Sequence, residues 1–97
     1  MNAGIFKIKI HIPENHSLKE KRRIVKSLMS RLRNQYNISI AEVDDHDLWQ
    51  IATIGISCIS NSNNHVDQII SNIIKYIEQN YPELEIVNHE IEIMHGF

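Results

Sequence analysis

The sequence predicts one small α+β domain whose elements follow one another in the order βαββαβ. Its 97 residues fit the size of a single domain, and 42% hydrophobic with 23% charged residues is ordinary globular composition. Stretches near both ends of the chain and in its middle alternate apolar with polar residues, as half-buried strands do. Two intervening stretches place their apolar residues on one helical stripe. Residues 1–97 are therefore expected to form one domain.

The first strand is predicted over residues 5–12, where apolar residues occupy every second position. One face would carry Phe6, Ile8, Ile10 and Ile12, and the other Ile5, Lys7, Lys9 and His11. Pro13 ends the pattern, because proline has no backbone N–H for a sheet.

The first helix is predicted to begin after Ser17 and to run to about Tyr36. Ser17 and Glu20 have the spacing of a capping box, in which the hydroxyl and the carboxylate each accept a free backbone N–H. The apolar stripe that follows is Leu18, Val25, Leu28, Met29, Leu32 and Tyr36.

Two further strands are predicted over residues 38–43 and 48–60, joined by the short acidic loop Asp44–Asp47. The expected core residues of the third strand are Ala52, Ile54, Ile56 and Cys58. Trp49, Ile51 and Ile59 would face the opposite way.

The second helix is indicated by a strongly apolar stripe between a turn at residues 61–64 and Pro82. That stripe is Val66, Ile69, Ile70, Ile73, Ile74 and Ile77. In the last strand, residues 84–93, the apolar positions change phase, and a β-bulge near residue 86 would reconcile them. Right-handed crossovers place both helices on one face of a four-stranded antiparallel sheet, which is a ferredoxin-like sandwich with one uncovered face.

Three short runs resemble the YlxP-like family of small bacterial proteins: Ser17–Arg23 (Ser-Leu-Lys-Glu-Lys-Arg-Arg), Ala41–Asp44 and Asp47–Gln50. The resemblance extends over nearly the whole chain and implies the same ferredoxin-like fold. The family has no assigned function, so it implies no catalytic residues. Because its members are often encoded beside translation and ribosome-maturation factors, it implies a ribosome-linked role. Ile51 stands where many relatives would have a basic residue.

Charge is distributed unevenly along the chain. Residues 1–33 contain nine basic and two acidic residues, whereas the rest contains Lys75 and ten acidic residues. On the first helix, five cations fall on one side, beside the apolar stripe; we call them the basic ridge, and they are Lys19, Arg22, Arg23, Lys26 and Arg33. Such a ridge suits a phosphate polymer, so RNA or a ribosomal particle is the expected partner. The alternative is a solvated face that pairs with acids of the hairpin loop or of the C-terminal half.

The uncovered sheet face predicts a second kind of contact. Ile5, Trp49, Ile51 and Ile59 would lie there and would need a cover. A second copy of the chain, giving a homodimer, or the C-terminal tail could supply that cover. This favours an alternative function as a structural or regulatory homo-oligomer, for instance a small-ligand sensor. Base stacking as in an RNA-recognition motif requires exposed aromatic residues on the central strands, and only Trp49 is available.

No motif predicts an enzyme, a cofactor or a metal site. The loop after the first strand, Pro13–His16, lacks the glycines of an acylphosphatase phosphate loop, and the Asp44–Asp47 loop has no second ligand cluster. Cys58 is the only cysteine, so no disulfide can form within the chain. No stretch has the length of a membrane span, and the N-terminus lacks the apolar core of a signal peptide. A cytoplasmic location is expected.

Overall fold

The computed structural model describes the backbone of residues 1–97 and every side chain except that of Asn63. The elements are β1 (Asn2–His11), α1 (Leu18–Gln35), β2 (Ser39–Asp44), β3 (Ile51–Ser60), α2 (Asn63–Asn80) and β4 (Glu85–Met94). The four strands form one antiparallel sheet in the order β2-β3-β1-β4. The predicted ferredoxin-like βαββαβ fold is confirmed.

The alternation along β1 sets the two faces of the sheet. Phe6, Ile8 and Ile10 are buried beneath the helices, whereas Ile5, Lys7 and Lys9 are exposed on the other face. Buried side chains of β3 and of both helices complete one continuous core on the helical side. The open face, which no helix covers, is polar in part and apolar in part.

Helix α2 lies very close to the sheet at Gly4. A Cβ atom at this position would overlap the side chain of Val66, which is itself fully buried. Glycine is required here because the helix could not approach β1 so closely over any larger residue.

The irregularity of the last strand is a bulge at Val87. Asn88 pairs with Lys9, and Ile86 pairs with Ile10, so Val87 is left without a partner on β1. The phase change of the apolar residues follows from this extra residue, which confirms the predicted bulge near residue 86.

The third strand begins at Ile51 instead of residue 48, and this boundary moves Trp49 out of the sheet. Trp49 and Gln50 belong to the loop between β2 and β3, where their backbone carbonyls accept hydrogen bonds from Asn15 Nδ2 (2.5 Å) and Ile12 N (2.8 Å). Residues Ile12 and Asn15, which follow β1, thus hold the backbone of this loop.

The capping box at the start of α1 is half formed. Ser17 Oγ accepts the N–H of Glu20 at 3.1 Å, as predicted. The Glu20 carboxylate instead pairs with Arg23 one turn further along the helix.

Candidate nucleic-acid interface

Helix α1 turns its basic ridge to solvent along the side that flanks β2. All five members are exposed, namely Lys19, Arg22, Arg23, Lys26 and Arg33. Arg33 Nη2 lies 3.4 Å from the carbonyl oxygen of Ile40, which places the end of the ridge beside this edge strand. The structure thus brings the predicted ridge residues together on one surface.

Four of the five ridge cations form no ion pair with any side chain that the structure describes. These are Lys19, Arg22, Lys26 and Arg33, whereas Arg23 is paired with Glu20. A cation without an acidic neighbour keeps its full attraction for an external anion. Three of the four, Lys19, Arg22 and Lys26, lie in the first two to three turns of the helix, and Arg33 lies in the last turn.

Four acids of the hairpin and of β4 are paired with cations outside the ridge. In the hairpin, Glu42 and Asp45 contact Lys21 Nζ (3.1 Å) and Lys9 Nζ (3.9 Å), respectively. In β4, Glu90 pairs with Lys7 (3.7 Å) and Glu85 with His11 (3.4 Å). Among the side chains that the structure describes, no ridge cation is paired with an acid of the hairpin or of the C-terminal half.

Lys21 is a buried cation whose role the sequence pattern did not predict. It is fully buried, and its ammonium group donates to the carbonyl oxygens of Asp45 (2.6 Å) and His46 (3.4 Å) in addition to pairing with Glu42. In the sequence, its burial could have been inferred only from its position on the apolar stripe, between Leu18 and Val25. A buried ammonium group needs such partners because desolvation would otherwise be very costly.

The acidic loop Asp44–Asp47 is held by hydrogen bonds of its own. The Asp45 carboxylate accepts the Thr53 hydroxyl at 2.6 Å, and the Asp44 carboxylate accepts the Asp45 N–H at 2.8 Å. Among the side chains described by the structure, no three His, Cys, Asp or Glu residues converge as metal ligands would. These carboxylates act as anchors of the loop.

The predicted oligomer-interface residues do not form one patch. Ile5 and Ile59 lie at one end of the open face and are 52% and 65% exposed. Ile51 is half-buried and pairs with His11 at the opposite end of β3, and Trp49 lies beyond it in the loop. Ile51 and Ile59 are eight positions apart along β3, which is a distance of about 26 Å.

The C-terminal tail leaves the apolar end of the open face uncovered. Phe97 N–H donates to the carbonyl oxygen of Met1 at 3.4 Å, so the tail continues beside the start of the chain. Met94 pairs with Ala3, which also pairs with Ile59, and Val43 lines the same surface depression as Ile5; Met94 and Val43 are both about half exposed. The tail is therefore not the cover of Ile5 and Ile59 that was expected as the alternative to a second copy of the chain.

Two side chains that could act as nucleophiles, Cys58 and Ser60, are both buried. Burial raises the pKa of the Cys58 thiol, which the Gly4 backbone N–H opposes only in part, so the thiol stays protonated and unreactive. The hydroxyl of Ser60 lies 2.8 Å from His65 Nδ1, a pair that the sequence did not suggest, but it is buried and accepts the Ser62 N–H. Its visible role is to order the start of α2.

Comparison with known proteins agrees with this architecture. The fold is that of the ferredoxin-like α+β proteins. A designed protein with a ferredoxin fold, 19% identical, superposes with a TM-score of 0.50 over 97% of this chain and 84% of its own. A dimeric ferredoxin-like protein from an uncultured marine organism, 14% identical, gives 0.50 over 95% and 92%.

Within that fold, the chain belongs to a particular family. Residues 3–91 match the family described as "Protein of unknown function (DUF503)". The uncharacterized protein YlxP of Bacillus subtilis (strain 168) is 35% identical over 69 residues, which are 71% of this chain and 74% of YlxP. The resemblance found in the sequence is confirmed, and the family has no assigned activity. Neither helix of the structure combines the length and apolar character needed to cross a bilayer.

Proposed function

We propose that this chain is a non-catalytic module that binds RNA, free or within a ribosomal particle, through the basic ridge of α1. The observation that carries the proposal is a group of exposed cations on one side of one helix for which the described side chains provide no acidic partner, namely Lys19, Arg22, Lys26 and Arg33. Cations spaced in this way release counterions from a phosphate backbone when they bind it.

The proposed contacts set affinity and position, and they do not select sequence. If three to five phosphates are neutralised, the logarithm of affinity falls against the logarithm of salt concentration with a slope of roughly −2 to −4.5. The acidic side chains of β4 lie at the opposite edge of the sheet from β2, so they would repel RNA from that edge and favour approach to the ridge.

The test is a titration of labelled ribosomal RNA fragments at several salt concentrations. Replacing both Arg22 and Lys26 with glutamine should weaken binding to every fragment and flatten the slope by about 1.4–1.8, the value of two phosphate contacts. The matched control replaces Lys7 and Lys75 with glutamine, because it removes the same net charge away from the ridge. Equal binding by the two double variants would refute the ridge, and absence of binding at low salt would remove RNA as the partner.

A second candidate function is self-association through the apolar end of the open face. Ile5 and Ile59 are more than half exposed, and the tail does not cover them. Exposed isoleucines on a sheet face favour a two-fold interface against the same residues of another copy. That a dimeric protein exists among the structures with this fold is consistent with such an interface.

Sedimentation distinguishes this candidate. Replacing Ile59 with lysine should shift a wild-type dimer towards monomer, whereas Ile51→Lys, at the other end of β3, should change association less. A wild-type protein that stays monomeric at high concentration would exclude the homo-oligomer.

A further inference from the structure

The loop between β2 and β3 exposes two large apolar side chains. Leu48 is 48% and Trp49 is 52% exposed. Trp49 is the only tryptophan of the chain. An indole left half in water offers a flat apolar surface that binding partners commonly use.

The backbone of this loop is fixed at several points, so the indole is exposed on an ordered support. Lys21 Nζ binds the carbonyl oxygen of Asp45 at 2.6 Å, and the Thr53 hydroxyl binds the Asp45 carboxylate at 2.6 Å. At the other end of the loop, Asn15 Nδ2 binds the carbonyl oxygen of Trp49 at 2.5 Å. Gln50 Nε2 returns a bond to the carbonyl oxygen of Asn15 at 3.1 Å. Because the loop is already ordered, less conformational entropy is lost when a partner binds to it.

Asn15 also places Trp49 next to the basic ridge. The same Nδ2 atom that binds the Trp49 carbonyl binds the carbonyl oxygen of Ser17 at 3.0 Å. Ser17 is the N-cap of α1, and the first ridge cation, Lys19, follows two residues later. Asn15 is 5% exposed, so this bridge is shielded from water. The aromatic surface and the start of the ridge therefore belong to one region of the molecule.

We infer that Trp49 stacks on an unpaired nucleobase of RNA whose neighbouring phosphates are bound by Lys19 and Arg22. This inference rests on the proposed function and adds a preference for single-stranded segments. A base in a duplex is covered by its neighbours, whereas an unpaired base can turn towards an aromatic side chain. Stacking does not depend on base identity, because every base has a π-face. The surface would thus prefer loops, bulges and ends of structured RNA.

The inference is tested with two labelled RNAs, a short single strand of mixed sequence and the duplex it forms with its complement. Trp49→Ala should weaken single-strand binding between about fivefold and about a hundredfold, and Trp49→Phe should retain most of the affinity. Duplex binding should change little in either variant. The slope against salt should stay at the wild-type value, because no charge is removed. Quenching of the single tryptophan on addition of the strand provides a direct readout in the wild-type protein.

The outcomes separate the two proposals. If Trp49→Ala binds the single strand as tightly as the wild type while the Arg22 and Lys26 double variant is weakened, the ridge stands and stacking is wrong. The exposed indole would then be left for a protein partner. If the wild type binds neither RNA at low salt, the ridge proposal fails. Thermal unfolding of Trp49→Ala and Trp49→Phe checks that the loop remains folded, and an unchanged midpoint with unchanged affinity is sufficient to overturn the inference.

Discussion

The two helices of this domain have the same length and the same task in the core, yet their outer faces differ sharply. Each has 18 residues and lies on the same face of the sheet with one buried stripe. Helix α1 contains seven Lys or Arg residues and one acid, whereas α2 contains Lys75 with two acids, Asp67 and Glu78. Because the packing requirement is the same in both, packing cannot account for the charge of α1.

The buried stripes also differ in one position. That of α2 is entirely apolar and consists of Val66, Ile69, Ile70, Ile73 and Ile77. That of α1 includes Lys21, which fixes the β2–β3 loop against the helix. Helix α1 therefore packs in the core, anchors the β2–β3 loop through Lys21 and exposes unpaired cations. Among the contacts described, α2 contributes core packing only.

The largest effect is expected where the helices are alike. Leu28 in α1 and Ile73 in α2 are 1% and 0% exposed, so replacing either with alanine should lower the free energy of unfolding by about 2–5 kcal/mol. Denaturant unfolding measures both. The exposed controls Ser27→Ala and Ser71→Ala should stay within about 0.5 kcal/mol of the wild type. A negligible loss at one core site would show that the two helices do not share one core.

The next effect concerns the position where the stripes differ. Lys21→Met should lower the free energy of unfolding by about 3 kcal/mol, since it leaves Glu42 and two carbonyl oxygens without their cation. This is the low end of the usual cost of removing one partner of a buried ion pair, about 3–5 kcal/mol, because the Glu42 side chain keeps 15% exposure. Replacing Glu42 with leucine in the same chain should recover much of the loss, because no buried charge then remains. Additive losses in the double variant would mean that the two groups do not act as a pair.

How far the sequence predicts this arrangement depends on whether a signal is local. The alternation from Ile5 to Ile12 defines both faces of β1, and the apolar stripes identify the helices, so the fold could be predicted. The partners of Lys21 could not, because Glu42 and Asp45 come near it only through the tertiary fold. The same holds for the start of β3. Trp49 continues a strand-like pattern, but it lies in the loop, where its carbonyl oxygen accepts a hydrogen bond from the side chain of Asn15, 34 residues away.

The helices also differ in how closely they approach the sheet. Gly4→Ala should destabilise by about 1–3 kcal/mol, because the new methyl group would press α2 away from β1 at Val66. Gly55→Ala provides the control. Its nearest neighbour is the half-exposed Val43 on the open face, which can move into solvent, so a smaller loss is expected. The same denaturant unfolding compares them, and a larger loss in Gly55→Ala would place the tighter contact on the open face.

The smallest effect tests the single acid of α1. Glu20 pairs with Arg23, so Glu20→Gln should free this cation and remove a negative charge from the ridge. The slope of log affinity against log salt should steepen by up to about 0.7–0.9, the value of one further phosphate contact. Stability should fall by about 0.3–1 kcal/mol, because a carboxylate near a helix N-terminus is favourable. The N–H of residue 20 still reaches Ser17 Oγ, so the helix start is kept.

Glu78→Gln in α2 is the matched control for this prediction. It changes the net charge by the same amount, but it lies on a helix without a cation ridge. Screening weakens interactions between exposed charges beyond about 8 Å at physiological salt, so its effect on RNA affinity should be small. RNA titrations of the two variants in parallel decide between local and overall charge. An equally steeper salt dependence in both variants would show that net charge governs binding. The outer faces of α1 and α2 would then contribute equally to RNA affinity. Steepening confined to Glu20→Gln would tie the interaction to the ridge, because only there is a cation released where phosphate is expected to bind.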